Sequence, residues 1–181
     1  AMMTARPSPP VVRGFMSVYS ELGSTNSLAS YFSDAAVNWG ANVMRFQLNP
    51  AAYALKNGQT FTAAWPSYLN LIVQHVQEAQ QAGLKVVIDL HEAPFTEVKN
   101  GTAALWARPD LNERFGMVWC DLAKALLPYD NTIWAFDLLN EPYDSAVSLP
   151  PRQWWPLAVN LRHVIRSINT NVWLCYETGP G

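Results

Sequence analysis

Gly83-Leu84-Lys85-Val86-Val87-Ile88-Asp89-Leu90-His91 reads as a strand buried on both faces. A glycine stops the preceding helix, an apolar run of strand length follows, and a histidine stands where the run ends. A nearly continuous apolar run is the mark of a parallel sheet covered on both sides. Just upstream, Leu69, Ile72, Val73, Val76 and Ala79 recur at helical spacing. The stretch is therefore one helix-to-strand step, and the same step recurs on either side.

Upstream lies a strand over Asn42–Leu48, closed by Asn49-Pro50. Before it, Leu28, Tyr31, Phe32, Ala35, Ala36 and Trp39 mark a helix that Gly40 stops. A first strand spans Pro10–Val18, and a polar loop, Gly23 to Ser27, follows it. Downstream, a long loop carries Pro94, Asn100-Gly101 and Trp106. Asp110 and Glu113 have capping-box spacing at the head of the next helix, which Leu111, Phe115, Val118, Trp119 and Leu122 continue. A strand over Thr132–Leu139, a helix near Arg152–Ser167 and a strand over Val172–Tyr176 complete the series.

The class is α/β, strand and helix alternating four times before a last strand. Two architectures fit, an open doubly wound sheet and part of an eight-stranded (β/α)8 TIM barrel. A whole barrel takes about 250 residues and at least about 200. With 181 residues, a barrel-type chain is an N-terminal partial barrel of about five strand-helix units. The expected organisation is one domain over 1–181, with 1–9 a cloning scar and flexible extension.

Composition narrows the function. Half the residues are hydrophobic and 14% are charged, which suits one substantial core. Twelve Lys and Arg against fourteen Asp and Glu leave a formal charge of −2, with no basic run to draw nucleic acid. No apolar stretch approaches the roughly 20 residues of a transmembrane helix, and no signal peptide is visible. Cys120 and Cys175 make no disulfide framework, and their apolar neighbours predict buried thiols. There is no His-x-x-x-His, Cys-x-x-Cys, Gly-x-Gly-x-x-Gly, Walker loop or Gly-x-Ser-x-Gly, so no metal or cofactor is expected.

In parallel α/β folds, function gathers where strands end. The polar residues there are Arg45 with Asn49, His91 with Glu92, Asn140 with Glu141, and Glu177. Burying polar groups without a purpose is costly, so the set reads as a site. In Asp137-Leu138-Leu139-Asn140-Glu141-Pro142 the proline ends the ladder and Glu141 stands at the strand's lip. A carboxyl in a partly dry cleft resists ionisation and can protonate a leaving oxygen. The neighbouring amide of Asn140 suits a sugar hydroxyl. By itself Asn-Glu-Pro is also an ordinary turn.

Three segments carry a resemblance: Trp39-Gly40-Ala41-Asn42-Val43-Met44-Arg45, Gly83 through His91, and Leu139-Asn140-Glu141-Pro142. With them the chain resembles the N-terminal part of the family 5 glycoside hydrolases, the cellulase-like retaining barrel enzymes. The resemblance implies Glu141 as general acid/base and Asn140 as the substrate-binding amide. It implies Arg45 as the arginine that keeps the nucleophile charged and His91 as the active-site histidine. The family's nucleophile is a Glu on the seventh strand, past Gly181, so none is assigned and the chain alone is expected to be inactive. The implied substrate is a β-1,4-glucan-like polysaccharide or an oligosaccharide, and the implied location is secreted or periplasmic.

Other residues have weaker claims. Glu177 could serve as a substitute base, but a cleft-lining carboxylate is the preferred reading. Asp89 and Asp137 are expected as buried pairs with Arg13 or Arg45. Glu92 lines the cleft or is solvated. Trp106 and Tyr143 lie in loops, where an aromatic face stacks on a pyranose or packs the loop. Trp39, Trp119, Trp134, Trp155 and Trp173 are expected to pack, and His75 and His163 to be surface or packing residues. The competing functions are a non-catalytic carbohydrate-binding or self-associating half-barrel, whose open edges a homo-oligomer or a C-terminal half would cover, and, last, a doubly wound nucleotide binder.

Overall fold

The computed structural model describes residues 11–17, 23, 25–95, 105–106, 108–142 and 153–178. Along the chain run β1 (Gly14–Ser17), α1 (Ala29–Val37), β2 (Val43–Leu48), α2 (Pro50–Lys56), α3 (Phe61–Gln81), β3 (Lys85–Leu90), α4 (Pro109–Leu126), a 3-10 turn (Leu127–Tyr129), β4 (Ile133–Asp137), α5 (Trp154–Arg166) and β5 (Trp173–Cys175).

The strands form one sheet in the order β1-β2-β3-β4-β5, every pair parallel. A doubly wound sheet reverses direction at a switch point, and its strand order breaks there. This order never breaks. With right-handed crossovers throughout, the helices then fall on one side of the sheet. The chain is a wall of five strands from a (β/α)8 barrel, not an open doubly wound sheet.

Alternation along each strand divides the sheet's two faces. Met44, Phe46 and Leu48, then Val86, Ile88 and Leu90, then Phe136 and Leu138 pack with Ile72, Val76, Phe115, Trp119, Leu122 and Leu161 of the helices. This helix-side layer is the core. The opposite, concave face carries Met16, Arg45, Gln47, Val87, Asp89, Ala135, Asp137 and Cys175, by register. Between β3 and β4 the register shifts after Val86, so that Val87 pairs with Ala135 and Asp89 with Asp137. Without that bulge Asp89 would stand beside Phe136.

Gly40 and Gly83 follow their helices at φ 66° and 75°, the left-handed backbone that glycine adopts without a Cβ clash. The expected first and last strands are shorter than read, Gly14–Ser17 and Trp173–Cys175. Helix α2 was not anticipated. The Asn49 side chain caps it by accepting from Ala52 N at 2.9 Å, with Pro50 in its first turn. The capping box at Asp110 does not form. Arg108 takes the cap position, and the Asp110 carboxylate accepts from its guanidinium instead, Nε–Oδ1 3.1 Å.

Several side chains expected to be buried are not. Trp39, Trp155 and Trp173 are 68%, 48% and 70% exposed, and Cys175 is exposed while Cys120 is half-buried. The cause is common to Trp173 and Cys175, which sit on the edge strand β5 with no further strand described beside it. Trp119 is fully buried, as expected, and its Nε1 donates to the Leu138 carbonyl at 3.1 Å. His75 is buried against Glu78, Nδ1–Oε2 2.9 Å, and His163 is exposed.

Candidate active site

The centre of the concave face is Arg45. Its Nη1 lies 3.2 Å from Asp89 Oδ2. Its Nη2 donates to Asp137 Oδ2 at 2.9 Å, Asn140 Oδ1 at 3.1 Å and Glu177 Oε1 at 3.0 Å. The other oxygen of Glu177, Oε2, accepts from the backbone N–H of Glu141 at 2.7 Å. His91 joins through Asp89, Nδ1–Oδ2 2.8 Å. One network thus links strand ends β2 to β5, and five of the residues singled out from the sequence (Arg45, His91, Asn140, Glu141 and Glu177) belong to it.

The charges are unbalanced. One guanidinium faces three carboxylates, two of them nearly inaccessible: Asp89 is 0% and Asp137 5% exposed. Burial pushes Asp89 up to about 7, although Arg45 and the hydrogen bond from His91 oppose it. Burial likewise pushes Asp137 up to about 6, against its bond to Arg45 and with the Glu177 charge adding to the rise. Each keeps one buried oxygen, Asp89 Oδ1 and Asp137 Oδ1, with no partner among the described residues. That is why the charged form is disfavoured. Burial pulls Arg45 down, but its bond to Asp137 and the charges of Asp89, Asp137 and Glu177 outweigh this and raise it. The guanidinium therefore stays charged, beside acids able to exchange protons near neutral pH.

Glu141 is exposed at the rim, ahead of a buried Pro142, with φ at 44°. The Asn140 amide oxygen accepts from Arg45, which leaves the amide nitrogen as its donor end. Trp106 is half-buried and meets Trp154 edge to face, ring centroids 6.4 Å apart. Glu92 is exposed. Tyr143 lies outside the described residues. Of the two arginines proposed for the buried aspartates, only Arg45 reaches them. Arg13 Nε instead donates to the Gly40 carbonyl at 3.0 Å. Among the described residues no group of three or more His, Cys, Asp or Glu side chains could hold a metal ion.

Two features were not read from the sequence. One is the bridge from Glu177 to the Glu141 backbone. The other is Trp154, fully buried, whose Nε1 donates to the Glu177 carbonyl at 3.0 Å. Both partners of each contact lie far apart in the chain, so no local pattern signals them.

Solved structures share this fold. An endo-glycoceramidase II from Rhodococcus sp. superposes with TM-score 0.69 at 15% identity, over 91% of this chain and 48% of that one. A glycoside hydrolase family 5 enzyme from Prevotella bryantii gives 0.68 at 17% identity, over 90% and 53%. An endo-β-1,4-glucanase from Xanthomonas axonopodis pv. citri gives 0.67 at 20% identity, over 93% and 53%. The chain thus spans about half the length of these structures. No curated protein sequence matches it. The family model of the cellulases, glycosyl hydrolase family 5, matches residues 9–180, and the chain belongs to that family.

Proposed function

We propose that these five strand-helix units form the acid/base side of a retaining glycosidase that cleaves β-glycosidic bonds of a β-1,4-glucan-like polysaccharide or oligosaccharide. Glu141 is the general acid/base, protonating the leaving oxygen and then deprotonating water. Asn140 donates to a sugar hydroxyl. Arg45 supplies the positive charge that keeps a carboxylate nucleophile ionised. His91, held by Asp89, orients the site, while Trp106 and Tyr143 border the substrate and Glu177 lines the cleft. The nucleophile belongs to a strand outside these five, so the 181 residues by themselves are inactive, and the domain is one partial barrel over 1–181; the stretch 1–9, expected as an extension, lies outside the described residues. The protein acts outside the cytoplasm, secreted or periplasmic. Among the described residues no helix is long and apolar enough to cross a membrane.

The observation that carries this reading is the hydrogen-bonded path from Glu141 N through Glu177 to Arg45, in a family 5 chain. The test is Glu141→Gln in the full-length protein. Turnover of glycosides with unactivated leaving groups is expected to disappear, because the amide has no proton to give. Unchanged turnover of those substrates refutes the assignment.

A second reading has its own support. Met16 and Trp173 on the concave side are 54% and 70% exposed, and β1 and β5 each have one unpaired edge in the sheet. A self-associating, carbohydrate-binding half-barrel would cover that surface. Sedimentation velocity separates the readings: concentration-dependent association with saccharide binding and no turnover favours the binder.

A further inference from the structure

We propose that Glu177 is a positioning residue for Glu141, its carboxylate clamping the Glu141 backbone to the Arg45 guanidinium. The inference rests on Glu141 being the acid/base and adds how that acid is aimed.

Glu141 is the one non-glycine residue with positive φ among those described, at 44°. A residue with a side chain holds that conformation only when its surroundings impose it. The following Pro142 has no N–H and disfavours the right-handed helical alternative for Glu141. What holds the backbone is the 2.7 Å bond from Glu141 N to Glu177 Oε2. Such a bond to a carboxylate is about twice as strong as a neutral one.

The clamp is itself fixed at two further points. Oε1 of Glu177 accepts from Arg45 Nη2 at 3.0 Å, and its carbonyl accepts from Trp154 Nε1 at 3.0 Å. Trp154 is fully buried and braced by Trp106. With both carboxylate oxygens engaged, Glu177 is set to hold rather than to attack. The direction of the Glu141 side chain follows its backbone, and a misplacement of about 1 Å in a reacting group costs on the order of 100-fold in rate.

The test uses the isotopically labelled chain and Glu177→Gln. The Gln amide offers one oxygen to two donors. The guanidinium takes it, and the amide NH2 then faces Glu141 N–H. Amide hydrogen exchange at Glu141 is expected to rise at least tenfold, with its 13Cα and 13Cβ shifts moving away from left-handed values, while Ala135 and Phe136 exchange as before. Arg45 and Asp137 are the other charged groups facing Glu177.

In the full-length hydrolase, kcat on alkyl β-glycosides should fall tenfold or more with KM unchanged. For 4-nitrophenyl glycosides, whose leaving group needs no acid, kcat/KM, which reports the glycosylation step alone, should stay within threefold. Unchanged exchange and shifts at Glu141 overturn the proposal, and so does an equal fall of kcat/KM on both substrate types. If the wild-type hydrolase cleaves no glycoside, the assignment of Glu141 fails, and the amide measurements alone then decide whether Glu177 clamps it.

Discussion

Replacing Arg45 by Met should destabilise the chain much more at pH 8 than at pH 5. Met preserves much of the aliphatic stem and removes the guanidinium, which contacts Asp89, Asp137, Asn140 and Glu177. In the folded wild type Asp89 and Asp137 stand at about 7 and about 6, both above the ordinary value of 3.8. Carboxyls raised on folding leave the native state binding more protons than the unfolded chain, so stability falls as pH climbs from about 4 to the folded values. Loss of Arg45 raises both groups further. At pH 5 both are largely protonated in the folded wild type, so the substitution costs its three lost hydrogen bonds, about 1 kcal/mol each. At pH 8 the wild type can ionise Asp89 and Asp137 and the variant cannot. One unit for Asp89 and two for Asp137, at about 1.4 kcal/mol per unit, amount to about 4 kcal/mol, within the range for breaking a buried ion pair. For a chain of this size that lowers Tm at pH 8 by about 8–16 °C more than at pH 5. Urea and thermal unfolding followed by circular dichroism at pH 5 and pH 8 measure it. Equal losses at the two pH values would refute the reasoning.

Further outcomes follow from other contacts. Burial alone would raise Glu78, but hydrogen bonds from His75, Gln74, Leu28 N and Ser27 outweigh it and hold it at about 2 against an ordinary 4.5. A lowered carboxylate stabilises above its unfolded value, so on the order of 2 kcal/mol should be lost as pH falls from about 4.5 to 2, and Glu78→Gln should flatten that limb of the unfolding profile. A Cβ at Gly14 would stand 2.5 Å from Val43 Cγ1 and 2.9 Å from its carbonyl oxygen. Gly14→Ala should therefore cost about 1–3 kcal/mol in urea unfolding, and a neutral result would show that β1 gives way freely. Asn169 Oδ1 accepts from Asn171 N and Val172 N, while its Nδ2 donates to Asp130. Asn169→Ala should cost about 2–3 kcal/mol and speed amide exchange at Val172, just ahead of β5.

Much of the site was legible because a strand end is a local event. An apolar run that closes on Arg, His or Asn-Glu-Pro exposes its polar residue at a predictable edge, whatever the strand's neighbours. The helix stops at Gly40 and Gly83 were legible for the same reason, since one residue without a Cβ decides each turn. Burial was less legible. Trp173 and Cys175 have the composition of a core strand, yet they are exposed, because exposure depends on whether another strand lies alongside. The capping box failed at Asp110 because the guanidinium of Arg108 competes successfully for its carboxylate.

Periodicity, glycine stops and polar strand ends determined, from the sequence by itself, an α/β chain of strand-helix units with Arg45, His91, Asn140 and Glu141 at one edge. Only the tertiary structure decided between a doubly wound sheet and a barrel wall, since strand order is a matter of long-range pairing that local propensity does not encode. It also decided, through the register shift after Val86, that Asp137 stands level with Asp89 beneath Arg45. And it alone brought Glu177 to the Glu141 backbone, across 36 residues of sequence, because adjacent parallel strands align ends that a whole helix separates along the chain.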